Sequence, residues 1–143
     1  MATWVVDAGV VLKWLLADPE REPDTAQATA LLEAIAGGQE SILQPPHWLA
    51  EVAAVLARLS PETAEEDVAR LRAMDWPVAD DIEVWSRAVR LSIVSKQHVF
   101  DTLYHAVALE HDSATFVTAD DKYRQPAEKI GRVIALRDWS PAT

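Results

Sequence analysis

The first apolar positions of the chain, Trp4, Val5 and Val6, form a short β-branched run with the composition of a strand buried on both faces. Asp7 and Gly9 interrupt it, and from Val10 to Leu16 the apolar residues return at helical spacing. A carboxylate is thus set at the C-terminal end of a buried N-terminal strand. In an open α/β sheet that edge is where ligands bind, in the crevice between loops leaving neighbouring strands. The same aspartate also suits the N-cap of the helix that follows. Its position alone leaves both roles open.

The pattern continues as an alternation of short strands and longer helices. Asp18 to Asp24 is polar, with two prolines, and reads as a loop. Thr25 to Ala36 is rich in Ala and Leu and predicts a helix, stopped by Gly37-Gly38. Ser41 to Gln44 predicts a short strand ended by Pro45-Pro46. His47 to Leu59 is apolar around nearly its whole circumference, with His47, Glu51 and Arg58 on one narrow strip, and predicts a buried helix. A buried carboxylate must be paired or bind a metal. Glu51 is therefore a candidate ligand, against the alternatives of an Arg58 contact or an exposed strip.

Ser60-Pro61-Glu62 opens a further helix to about Met74, with Ser as N-cap and Pro at the first helical position. Trp76-Pro77-Val78 predicts a Pro-bearing edge strand. Asp80 and Asp81 favour the start of a helix from Ile82 to Ser95, with Trp85, Val89 and Ile93 on one face. Arg87, Arg90 and Lys96 give that helix a modest basic, solvated face. His98 to Glu110 predicts a helix with Asp101 near its start and Leu103, Ala106 and Val107 facing inward. Thr115 to Thr118 predicts another buried strand, ending in Ala119-Asp120-Asp121 and so repeating the arrangement at Asp7. A Lys122 to Lys129 turn or helix, broken by Pro126, leads to a last strand, Val133 to Leu136. The tail from Arg137 is polar and peripheral, with Trp139 able to pack back. Five strands alternating with helices predict an α/β fold: a three-layer α/β/α sandwich around a central parallel sheet with right-handed crossovers.

Composition narrows the function classes. A chain of 143 residues, half of them apolar, suits one domain over residues 1–143 whose core needs no staples. There is no cysteine, which excludes disulfides, thiolate ligands and thiolate nucleophiles. No signal peptide is evident, and no apolar run approaches the roughly 20 residues that span a bilayer, so the expected location is the cytoplasm. The net charge of −10 weighs against nucleic-acid binding unless the acids gather around a metal or face away from the substrate.

The acids do have such a pattern. Parallel strands bring Asp7 and Asp120 to one sheet edge, and Asp101 and Glu51 join them if their helices pack beside it. Carboxylates so gathered repel unless protons or a multivalent cation compensate. Hard oxygen donors suit Mg²⁺ or Mn²⁺ rather than zinc. The stretches VVDAGVVLKWLL, WLAEVAAVL, VFDTLYHAVALE and FVTADD, in this order over nearly the whole chain, resemble the PIN-domain ribonucleases, specifically the VapC toxins of bacterial toxin–antitoxin pairs. The resemblance implies that Asp7, Glu51, Asp101 and Asp120 are the metal-binding acids. It implies Mg²⁺- or Mn²⁺-dependent endoribonuclease activity, a homodimer, and a cognate antitoxin that blocks the site.

On this reading Asp7, Glu51 and Asp101 bind a first ion, and Asp120 completes the site or supports a second. Asp121 is an alternative or additional fourth ligand. Many relatives carry Ser or Thr two residues after the first aspartate where this chain has Gly9, and the Thr118 hydroxyl is the supporting group nearby. Lys13, Arg58, Lys122 and Arg124 are candidate phosphate contacts to single-stranded or looped RNA, with solvated surface charge as the competing reading of each. The histidines, His98 and His105 included, lack ligand spacing. The alternative function is a catalytically weak PIN-fold module acting through a protein partner. A phosphoacceptor receiver domain is disfavoured, because Asp7 has no acidic neighbour and no mid-chain strand ends in Asp.

Overall fold

A computed structural model describes residues 2–16 and 24–141 of the chain; the expected loop at 18–23 lies outside them. Among the described residues, β1 (Thr3–Val6) is followed by α1 (Ala8–Leu16), α2 (Thr25–Ala36), β2 (Ser41–Ile42), α3 (Trp48–Leu59), α4 (Ala64–Ala73) and α5 (Ile82–Ser95). Then come α6 (Val99–Glu110), β3 (Ala114–Thr118), α7 (Asp121–Ala127), β4 (Val133–Ala135) and a short 3₁₀ turn over Leu136–Asp138. The four strands form one parallel sheet in the order β2-β1-β3-β4. Seven described helices flank it, and the α/β/α architecture expected from the sequence is what the chain adopts.

Strand order fixes where the chemistry can sit. From β1 the chain crosses to β2 on one side, then back over β1 to β3 on the other. The crevice between β1 and β3 is therefore the topological switch point. Val6 pairs with Val117 at the C-terminal end of the two strands, and the Asp7 N–H continues the ladder to the Val117 carbonyl at 3.1 Å. Val5, Val6, Phe116 and Val117 are buried, as strands covered on both faces must be. On one side α6 packs against β1 and β3, and α5 packs against α6. Every residue of α6 from Thr102 to Ala108 is buried, and the Thr102 hydroxyl donates to the Ala88 carbonyl of α5 at 2.8 Å.

Three expectations need correction. The Trp76–Val78 strand is reduced to a single parallel bridge between Val78 and Gln44. Pro77 has no N–H and Pro45-Pro46 ends the partner, so the ladder cannot extend. The Gln44 side chain instead clasps Val6, accepting from its N–H and donating to its carbonyl, both at 2.8 Å. Second, the helix α4 starts at Ala64, because Ser60 closes α3 and spends its hydroxyl on Thr63 Oγ1 rather than on a backbone N–H. Third, α3 is not buried all round. Only Trp48, Val52 and Leu56 are enclosed, while Ala50, Ala54, Ala57 and Leu59 face outward. The Trp85, Val89 and Ile93 face of α5 is exposed, and α5 meets α6 through Val84 and Ala88. The tail does return to the core: Trp139 is buried edge-on against Trp4, ring centroids 6.4 Å apart.

Candidate active site

The β1–β3 switch point opens into a cleft of about 410 Å³. Asp7, Asp101 and Asp120 line it, with Gly9, Leu12, Lys13 and Leu16 of α1 and Val55 and Leu59 of α3 completing the walls. Asp7 stands where β1 ends. Its Oδ2 accepts from the Thr118 hydroxyl at 2.6 Å, and its Oδ1 accepts from the Gly9 N–H at 3.2 Å. Asp7 thus caps the start of α1 and faces the cleft at once; both roles open at the sequence level are filled.

Asp120 follows β3 and caps α7, its Oδ1 accepting from the Lys122 and Tyr123 N–H groups at 3.0 and 3.3 Å. The Thr118 hydroxyl accepts from the Asp120 N–H at 3.0 Å and so ties the two strand-end acids together. Asp101 sits in the first turn of α6. Glu51, in the first turn of α3, makes no bond to Arg58; its Oε1 accepts from the Tyr104 hydroxyl at 2.7 Å and lies 3.3 Å from His47 Nε2. Sequence patterning leaves Tyr104 unremarked and places His47 only on the polar strip it shares with Glu51. Tyr104 follows Asp101 by three residues and His47 precedes Glu51 by four, so each shares a helical face with an acid.

Electrostatics joins the four acids. Burial raises the pKa of Asp7 from 3.8 to about 6, Thr118 and Gly9 oppose that rise, and the charges of Asp101 and Glu51 add to it. Burial also raises Asp101, with Asp120 and Glu51 as the next causes. Among the described residues Lys13 is the one cation lining the cleft. Also among the described residues, no three Asp, Glu or His side chains are spaced to hold a metal ion as they stand. The donor chemistry nevertheless fits Mg²⁺ or Mn²⁺: oxygen-only groups on rigid elements, whose mutual repulsion a divalent charge would relieve.

The remaining expected residues fall elsewhere. Asp121 turns from the cleft to Arg124 and Arg137, whose hydrogen bonds hold its carboxyl below the usual range. Arg124 is not exposed to a substrate: its guanidinium is buried between Asp121 and Glu128, which raise its pKa. Arg58 and Lys122 are exposed but line no part of the cleft. His105 is buried in the core, bonded through Nδ1 to the Tyr123 hydroxyl and through Nε2 to the Gly131 carbonyl.

A parallel α/β sandwich with carboxylates gathered at its switch point defines a class of domains built around an acidic cleft. The PIN domain family model matches residues 4–129, and the chain belongs to that family. Two solved structures share the fold. A toxin–antitoxin complex from Klebsiella pneumoniae has a TM-score of 0.62 and 17% identity, over 95% of this chain and 98% of that one. VapBC2 from Rickettsia felis, bound to a DNA fragment from its promoter, has a TM-score of 0.63 and 13% identity, over 93% and 96%. No curated protein matches the chain in sequence.

Proposed function

We propose that the chain is a Mg²⁺- or Mn²⁺-dependent endoribonuclease of the VapC type, the toxin of a type II toxin–antitoxin pair. One observation carries the reading: Asp7, Asp101 and Asp120, distant in sequence, line one cleft at the switch point of a PIN-domain sheet, with Glu51 close enough to raise two of their pKa values. Asp7, Glu51 and Asp101 would hold the ion, and Asp120 would complete the site at its exposed rim; a divalent ion there would supply Lewis-acid stabilisation of the phosphate and an acidified water. The Thr118 hydroxyl keeps Asp7 and Asp120 in register, and Lys13 offers a positive charge to a phosphate at the cleft. A narrow acidic cleft admits unstacked nucleotides, so the substrate is single-stranded or looped RNA.

The structural neighbours are a toxin–antitoxin complex and a VapBC pair, and they support an antitoxin as partner. On the same reading, activity on RNA beside a DNA-binding antitoxin would belong in the cytoplasm; among the described residues no helix is long and apolar enough to cross a membrane. The single PIN unit spans residues 1–143, and two copies pair. Gly9 supports a second reading, a PIN-fold module that binds its partner and cuts weakly.

Cleavage of transfer, ribosomal and messenger RNA with Mg²⁺ or Mn²⁺ decides between the two. The native chain is expected to cut at least one of them, and Asp7→Asn and Asp101→Asn to lose detectable cleavage. Cleavage equal in both variants and the native chain would mark a contaminant. No cleavage by native protein would leave the binding module.

A further inference from the structure

We infer that Tyr104 and His47 are positioning residues that aim Glu51 at the acidic centre, an inference resting on the metal-dependent reading above. Glu51 stands on α3, and unlike Asp7 and Asp120 it has no strand end to fix it. Facing the charges of Asp7 and Asp101, an untethered glutamate with three rotatable bonds would swing toward water. Two neighbours prevent this. The Tyr104 hydroxyl donates to Glu51 Oε1 at 2.7 Å. His47 Nε2, 2.7 Å from the Phe100 carbonyl, lies 3.3 Å from the same carboxylate oxygen. Both act on Oε1, and among the described residues no bond is seen at Oε2, which is therefore the atom offered to a cation.

Both neighbours are themselves held. The Tyr104 ring is 1% exposed and stacks on Phe116 of β3 with centroids 5.5 Å apart and planes 12° apart. The His47 ring meets it edge-on at 4.9 Å. A chain of contacts thus runs from β3, through Tyr104, to Glu51. Burial and the Glu51 charge push the Tyr104 ionisation far above its ordinary value, so the hydroxyl stays a donor at every working pH. Outer partners of this kind are typically worth about 10- to 100-fold in metal affinity or activity.

Tyr104→Phe keeps the ring and removes the donor. Mn²⁺ binding, read from the free-ion EPR signal, is compared for the native chain, Tyr104→Phe, His47→Leu, His47→Gln and Glu51→Gln, with thermal melts as a folding control. Tyr104→Phe and His47→Leu are expected to weaken Mn²⁺ binding by about 10-fold or more while melting cooperatively. His47→Gln, which retains an N–H donor, stays close to native. Raised Mn²⁺ restores RNA cleavage to Tyr104→Phe but not to Glu51→Gln. Native-like Mn²⁺ affinity in folded Tyr104→Phe and His47→Leu overturns the positioning role and leaves the nuclease reading intact. A native chain that binds no Mn²⁺ overturns the metal-dependent reading itself, and the positioning role with it.

Discussion

Asp7 meets three demands: it caps α1, receives the Thr118 hydroxyl, and shares a cleft with other acids. The cost shows in its pKa of about 6. A folded-state value above the ordinary 3.8 means the fold favours the protonated form. That contribution is whole below about pH 4 and is lost as pH rises through 6. At pH 7 the ionised group burdens the cation-free fold by on the order of 2–3 kcal/mol. In EDTA, Asp7→Asn is therefore expected to melt above the native chain at pH 7 and to converge with it near pH 4; a variant that melts lower at pH 7 contradicts the buried-charge account. Gly9 makes a complementary test. A Cβ there would meet the Asp7 carboxylate oxygens at 4.0 Å, ordinary contact, so serine fits. Gly9→Ser should stabilise α1 by about 0.5 kcal/mol and, by adding a hydroxyl beside Asp7, tighten Mn²⁺ binding; an unchanged Mn²⁺ titration would show that Gly9 costs the site nothing.

At the scale of the element, α3 shows how far the sequence could be read. Its apolar residues cover most of a helical wheel, yet only the Trp48, Val52 and Leu56 stripe is enclosed. Leu56→Ala should cost about 2–5 kcal/mol in a urea melt, and Leu59→Ala, three residues on and exposed, no more than about 0.5. Equal losses would mean that α3 is covered on both sides. A hydrophobic period reports what a helix is able to bury, and only its neighbours decide what it does bury. The strands were legible because β-branched runs between helices leave few alternatives, and Asp7 and Asp120 because a strand that stops at an aspartate fixes where that aspartate lies. Tyr104 was not legible: three residues past Asp101 it looks like core, and its bond to Glu51 spans 53 positions. Nor was the diversion of Asp121 and Arg124, since a carboxylate beside an expected ligand looks the same whichever way its side chain turns.

For the whole molecule the acidic balance and the bare face of α5 bear on assembly. Ile82, Ile93 and Val94 are 70%, 72% and 83% exposed, and Trp85 and Val89 continue their surface along α5. A chain of net charge −10 should repel its own copies, so any pairing must be local and complementary. Along α5 the charges are polarised: exposed Asp81 and Glu83 at its start, exposed Arg90 and Lys96 toward its end. A two-fold axis that crosses two copies of α5 antiparallel sets acids against bases at both ends and apolar side chains against each other between them, as a self-complementary interface requires. The proposed homodimer is therefore expected to pair through this face. Ile93→Glu should convert a dimer to a monomer by light scattering with little change in melting temperature, because the side chain it replaces contributes little to the monomer core. Paired reversal, Glu83→Arg with Arg90→Glu, should keep the dimer, while Arg90→Glu alone weakens it and raised salt partly restores it. A native monomer at micromolar concentration would overturn the homodimer, and a dimer indifferent to Ile93→Glu would place the pairing surface elsewhere.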